Sequence, residues 1–154
     1  MTTLTTSAPT RRTDLLHPLP AALAGAVAFA VAMIVGEVFG LNADHGNGSS
    51  TTWTDLAAYA AMLTAAVALA VWLGVRARKG TPDRLARYAL GLAIVAAVTI
   101  VAFWSGWPHV FGAVALVTAV EHRRRVGSFG GMTIAAAAIA LVALVAATVI
   151  CVIG

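Results

Sequence analysis

The sequence predicts an all-α integral membrane protein, folded as a five-helix transmembrane bundle. Of its 154 residues, 60% are hydrophobic and only 10% are charged, whereas soluble domains carry about 25% charged residues. The mean hydropathy of +0.91 excludes a disordered chain, which needs low hydrophobicity and high net charge. Long apolar runs alternate with short basic clusters, as expected of a chain that crosses a bilayer repeatedly.

Three apolar runs are each long enough to cross a bilayer, at about residues 21–41, 56–75 and 132–153. A membrane-spanning helix needs about 20 residues. The first run exceeds the roughly 7 to 15 residues of a signal-peptide core, so we expect it to remain as the first span. Residues 1–16 contain little to bury and are expected to be a disordered cytoplasmic tail. The transmembrane domain then covers residues 17–154.

The apolar stretch 85–121 is too long for one membrane helix, because it would measure about 55 Å against a hydrocarbon thickness of about 30 Å. The segment Ser-Gly-Trp-Pro at 105–108 is its turn signal, since Pro108 suits the first turn of a following helix. We predict a third span at about 85–104 and a short fourth span at about 107–121, paired as a tight hairpin. A re-entrant hairpin is the alternative, but its backbone would need shielding by other protein.

The orientation follows from the basic residues, which occupy three clusters between the apolar runs. With five spans, all ten lie on one side of the membrane, which the positive-inside rule assigns to the cytoplasm. We therefore expect a cytoplasmic N-terminus and an external C-terminus, and the composition rich in Ala, Val and Arg indicates the plasma membrane of a bacterium. Anionic lipid headgroups, rather than nucleic acid, are the expected partners of these clusters. The clusters are Arg11 and Arg12; Arg76, Arg78, Lys79, Arg84 and Arg87; and Arg123, Arg124 and Arg125.

Small residues recur every four positions in the predicted spans, a pattern that lets helices approach closely in lipid. In the first span the pair Gly36 and Gly40 could bind another membrane protein or a second copy of this chain. Four threonines inside spans are expected to donate their hydroxyl protons to the carbonyl four residues back. The stripes are Ala24, Ala28, Ala32, Gly36 and Gly40; Ala66, Ala70 and Gly74; and Ala89, Ala93 and Ala97, and the threonines are Thr64, Thr99, Thr118 and Thr148.

Five polar residues are predicted to lie at the external face: Glu37, Asp44, His45, Asp55 and His109. Glu37 is the acid that falls within a span, and ionisable groups in the membrane are candidates for function. Carboxylate and imidazole groups together could bind a divalent cation. Their spacing matches no established metal motif, so we assign no metal, no cofactor and no catalytic residue.

The segment 35–40, Val-Gly-Glu-Val-Phe-Gly, resembles the first-helix glutamate motif of small multidrug transporters. The resemblance implies that Glu37 binds protons and drugs. The chain departs from that family in having five predicted spans rather than four, and in placing Glu37 near the end of its helix. We do not assign the chain to the family on this segment.

The sequence contains no phosphate-binding loop, zinc-protease helix or nucleophile elbow. It therefore predicts a protein without catalytic activity, acting as a structural or accessory component of the membrane. The alternative function is a small proton- or cation-coupled transporter that uses Glu37.

Overall fold

The computed structural model describes residues 16–39 and 53–153, which form five α-helices and one 3-10 helix. The 3-10 helix continues directly from the third α-helix and ends at a tight turn. The α-helices are α1 (Pro18–Val38), α2 (Trp53–Arg78), α3 (Pro82–Val98), α4 (Trp107–Val126) and α5 (Gly131–Ile153), and the 3-10 helix is Thr99–Ser105.

Four helical segments are long and apolar enough to cross a membrane: Pro18–Gly36, Trp53–Arg78, Pro82–Ser105 and Gly131–Ile153. They support the predicted all-helical membrane class, with four helices apolar enough to span a membrane by length and composition. Helix α4, which contains the predicted short fourth span, is not among these four segments of the described chain. Its last two turns carry a glutamate and three arginines, so its apolar part is shorter than theirs.

Helix α4 lies at the centre of the bundle and contacts each of the other four α-helices. Val110, Phe111 and Val114 on α4 are fully buried. In a bilayer the four apolar helices would therefore cover much of α4 from lipid, which explains how the least apolar helix occupies the core. The other helices contribute mainly alanine to this core, and small side chains allow the close helix contacts that stabilise bundles in lipid.

The predicted turn at residues 105–108 is present, between the 3-10 helix and α4. Gly106 has a φ of 73°, in the left-handed region, and Pro108 lies in the first turn of α4. The Ser105 hydroxyl donates to the Ala102 carbonyl over 2.6 Å and accepts from the Trp107 backbone N–H over 3.4 Å. Glycine is required at the turn because left-handed backbone costs other residues about 1–2 kcal/mol.

The change from α-helix to 3-10 helix at Thr99 was not predicted. Four β-branched residues in succession, at 98–101 (Val-Thr-Ile-Val), lose side-chain freedom in an α-helix. Ala102 then leaves helical geometry, with φ −114° and ψ 44°. The segment has no proline or glycine before the turn, which is why the sequence pattern reads as a continuous helix.

Helices α1 and α2 extend past the tip of the α3–α4 hairpin. A Cβ atom placed on Gly106 would lie 2.8 Å from a Leu63 side-chain carbon and 2.9 Å from one of Phe29, so both residues are level with the tip. Because α1 continues to Val38 and α2 begins at Trp53, each extends about 14 Å beyond the tip at 1.5 Å per residue. We call residues 30–38 and 53–61 the α1–α2 projection.

The predicted packing stripe on α1 is only half correct, because Ala24 and Ala28 are exposed whereas Ala32 and Gly36 are buried. A residue every four positions drifts about 40° around an α-helix at each step, so a long stripe of that spacing leaves the contact face. The residues on the buried face of α1 are instead spaced alternately four and three positions apart. Its fully or partly buried members are Pro18, Ala22, Gly25, Phe29, Ala32 and Gly36.

The shorter stripes on α2 and α3 agree with prediction, because drift over two steps is small. Ala66, Ala70 and Gly74 are buried, as are Ala89 and Ala93, and Ala97 is partly buried. The predicted threonine hydrogen bonds are also confirmed. Their donor–acceptor distances are 2.7 Å from Thr64 to Ala60, 2.7 Å from Thr99 to Val95, 2.7 Å from Thr118 to Val114 and 2.8 Å from Thr148 to Leu144.

Candidate functional site

Two residues of the predicted external cluster, Asp55 and His109, have described side chains, and they lie at different levels of the protein. Asp44 and His45 lie outside the described residues, and Glu37 lies in the last turn of α1 with its side chain also outside them. Asp55 is in the first turn of α2, whereas His109 is in the first turn of α4. Because the hairpin tip is level with Leu63, Asp55 and His109 are roughly 16 Å apart along the bundle.

No group of three His, Cys, Asp or Glu residues in 16–39 and 53–153 could hold a metal ion. Asp44 and His45 lie outside these ranges, so the candidate cluster, to which the sequence assigned no metal, is tested only in part.

His109 is instead a buried polar residue inside the bundle, with a relative exposure of 0%. Its Nε2 atom lies 3.1 Å from the Thr148 hydroxyl on α5. The Thr148 hydroxyl donates its proton to the Leu144 carbonyl, so it accepts a hydrogen bond from the Nε2–H of His109. In this neutral tautomer Nδ1 is an acceptor, and it is buried without a hydrogen-bond partner.

The surroundings of His109 are aromatic and closely packed. The Phe29 ring on α1 lies 5.7 Å from the imidazole, centroid to centroid. A Cβ atom on Gly25 would overlap the His109 carbonyl oxygen and lie 2.9 Å from Val110 Cα. Glycine at position 25 therefore lets α1 pack directly on the α4 backbone. His109 joins three helices, α1, α4 and α5, by packing and by one interhelical hydrogen bond.

At the opposite end of the bundle, α2 ends, α3 begins and α4 ends, and this brings together all eight basic residues of the described chain. Arg125, in the last turn of α4, contacts the connection between α2 and α3, because its guanidinium donates a hydrogen bond to the Gly80 carbonyl over 3.4 Å. The start of α1 lies near this end too, since a Cβ atom on Gly74 would lie 2.7 Å from Pro18 Cβ. We call this the basic end.

Glu121 organises the basic end and was not predicted to do so. Its carboxylate accepts a hydrogen bond from Arg125 over 2.9 Å and lies 4.0 Å from Arg124. Its neighbour His122 is also buried. The sequence places both residues at the end of an apolar run, which is typical of interfacial residues. The signal for the ion pair was the spacing of four between Glu121 and Arg125, which puts the two side chains on one helix face.

Comparison with known proteins adds no relative: no family model, no curated protein and no solved structure matches this chain. The fold and its charge distribution define the class as a multi-pass helical membrane protein. The function is therefore argued from the chain's own surfaces.

Proposed function

We propose that this chain is a five-span protein of the bacterial inner membrane that acts without catalysis, as an accessory component that binds another membrane protein. The observation that carries the proposal is the α1–α2 projection. It is an apolar pair of helix ends that extends past the hairpin tip, and residues 53–61 of α2 within it are all exposed.

The position of α5 supports five crossings. The Cys151 sulfur in its last turn lies 3.9 Å from the Phe103 carbonyl oxygen, so α5 ends level with the 3-10 helix. Both α5 and the segment Pro82–Ser105 are long enough to cross a membrane. If both cross it, the hairpin tip lies at the side of the membrane opposite the basic end. Helix α4 must then cross back, and local thinning of the bilayer would accommodate its short apolar part.

The basic end supports the orientation. Eight basic residues gather there in the described chain, and the opposite end of the bundle carries Trp53 and Asp55 at the start of α2. By the positive-inside rule, the basic end is cytoplasmic and the α1–α2 projection lies toward the outside. Arg76 lies 5.5 Å from the Trp72 ring, a cation–π contact typical of side chains at the membrane interface.

The α1–α2 projection has the surface of a helix-binding site. Residues 53–61 of α2 are all exposed, including Leu56 at 48% and Tyr59 at 44%. Four alanines separate these larger side chains and would let a partner helix approach closely. Because the projection extends past the hairpin tip, the proposed occupant is a helix of another membrane protein that also extends beyond the outer surface of the bilayer. The alanines are Ala57, Ala58, Ala60 and Ala61.

This surface differs from the one predicted from the sequence. Gly36 is buried within the chain, and Gly40 lies outside the described residues. Gly36, one residue of the predicted pair, thus already packs against other parts of this chain. Binding through Gly36 and Gly40 stays a prediction, whereas the exposed alanines of α2 need no rearrangement to meet a partner.

The test is the native mass of the chain extracted gently from its own membranes. We expect a species heavier than the 15.7 kDa chain, containing a stoichiometric second protein. Ala61→Leu should weaken this association about tenfold, because overpacking a close contact costs about 1–3 kcal/mol.

Ala68→Leu is the matched control. Ala68 is exposed on the same helix, one heptad further along and below the hairpin tip, so its substitution should leave the association unchanged. A wild-type chain that is monomeric, or that pairs only with itself, would contradict the accessory role.

A proton- or cation-coupled transporter that uses Glu37 is the second candidate. The observation in its favour is that Glu37 belongs to α1, which ends at Val38, so the residue is helical and close to the apolar segment Pro18–Gly36. A carboxylate in that position can exchange protons with the outer interface. A chain without a companion protein would favour this function.

A further inference from the structure

A cavity of about 250 Å³ lies at the basic end, between α3, α4 and α5. That is the size of a small polar group rather than of a drug-sized ligand, whose pockets begin near about 300 Å³. Its lining residues are Asp83, Ala86, Arg87, His122 and the four residues 130–133.

His122 is the buried polar group of this cavity. Its relative exposure is 6%, and its Nδ1 atom is buried without a hydrogen-bond partner. An unpartnered buried polar group is unusual in folded proteins and calls for an explanation, such as an ordered water or ion. His122 also lines the cavity, so a hydrogen-bonding ligand in that space would lie beside its imidazole.

The start of α5 supplies a second feature suited to an anion. The backbone N–H groups of Thr133 and Ile134 both bond the Gly130 carbonyl, each over 3.0 Å. The N–H groups before them, at Gly131 and Met132, have no partner within a helix of this geometry. A helix N-terminus attracts phosphate groups through such N–H groups and the helix dipole. Arg87 on the cavity wall adds a guanidinium, which suits phosphate oxygens.

Asp83 makes the cavity different from a simple anion site. It lies one helical turn before Arg87, so the lining carries one carboxylate and one guanidinium besides the imidazole. A carboxylate disfavours a doubly charged free phosphate, but it binds an ammonium group. The balanced charge therefore fits a phosphate that carries its own ammonium, as in a zwitterionic lipid headgroup.

The apolar surface beside the cavity indicates a lipid rather than a soluble molecule. Met132 is 43% exposed and Ile134 is 56% exposed, and both belong to the first turn of α5. Arg123 lies 5.0 Å from the Phe129 ring just before that turn. Acyl chains could follow Met132 and Ile134 into the bilayer while the headgroup occupies the cavity.

We propose that this cavity binds the headgroup of phosphatidylethanolamine, with its phosphate at the start of α5, Arg87 and His122, and its ammonium at Asp83. The proposal rests on the membrane location of the chain, but not on a partner protein. It would stand if the chain proved monomeric.

The test is native mass spectrometry of the full chain in detergent, offered phosphatidylethanolamine, phosphatidylcholine and phosphatidylglycerol in equal amounts. We expect phosphatidylethanolamine to remain bound in preference to the other two. Arg87→Gln should weaken its binding about tenfold, the effect of losing one hydrogen bond to a charged group. Asp83→Asn should reduce the preference for phosphatidylethanolamine over phosphatidylcholine, whose quaternary ammonium cannot donate a hydrogen bond to a carboxylate.

Arg84→Gln is the matched control. Arg84 is exposed on the same helix and does not line the cavity, so its loss should leave the binding unchanged. An equal loss in both arginine variants would mean general attraction to headgroups and would overturn the proposal. Displacement of the lipid by millimolar inorganic phosphate would also overturn it, because the site would then bind a soluble anion.

Discussion

Gly25→Ala is expected to destabilise the bundle more than any other single methyl group added to the described helices. The added Cβ would meet the His109 carbonyl group and lie 2.9 Å from Val110 Cα. These are backbone atoms of the central helix, so they cannot move aside as a flexible side chain can. Helix α1 must shift away from α4, and we expect the free energy of unfolding to fall by about 3 kcal/mol.

Gly91→Ala is the control for Gly25→Ala. Gly91 is exposed on α3, and a Cβ atom there would meet nothing within 4 Å. Alanine has the higher helix propensity by about 1 kcal/mol, so this variant should be as stable as the wild type or slightly more so. Thermal unfolding in detergent measures both. Equal stability of the two variants would contradict the direct contact between α1 and the α4 backbone.

Gly106→Ala is expected to have the second large effect, for two separate reasons. The φ of 73° would cost an alanine about 1–2 kcal/mol. The new methyl group would also lie 2.8 Å from Leu63 and 2.9 Å from Phe29, which adds about 1–3 kcal/mol of overpacking. The hairpin tip would then move away from α1 and α2, and thermal unfolding in detergent should show a loss of about 3 kcal/mol.

Gly127→Ala separates the two causes. Gly127 has a similar φ of 84° at the end of α4, but a Cβ atom there would meet nothing within 4 Å. It should therefore show only the backbone cost of about 1–2 kcal/mol. A loss at Gly106 no larger than that at Gly127 would show that the tip does not pack between Phe29 and Leu63.

The helices and the turn between α3 and α4 could be predicted because apolar length and turn chemistry are local properties. The turn at Gly106 and Pro108 was found from four residues, and the threonine hydrogen bonds follow from helix geometry alone. The central position of α4 could not be predicted in this way, since it depends on which helices cover Phe111. The contact face of α1 was partly wrong because a spacing of four drifts around the helix, so Ala24 and Ala28 are exposed.

The candidate sites were harder to predict than the spans. His109 was predicted at the external face beside loop residues, but its partner is Thr148 on α5, 39 positions away in the chain. The cavity at the basic end combines Arg87, His122 and Thr133 from three helices. No local pattern joins residues so far apart. Their juxtaposition follows only when α3, α4 and α5 pack together.

The proposed topology requires that α2, α3 and α4 each cross the membrane, with the basic end in the cytoplasm. Single cysteines at Thr54 and Ser128, both exposed, test it most directly in a Cys151→Ser background. A membrane-impermeant maleimide added to intact cells should label Thr54→Cys, and should label Ser128→Cys only after the membrane is permeabilised. Labelling of both positions from the outside would mean that the chain between them crosses an even number of times, and would contradict the five-span account.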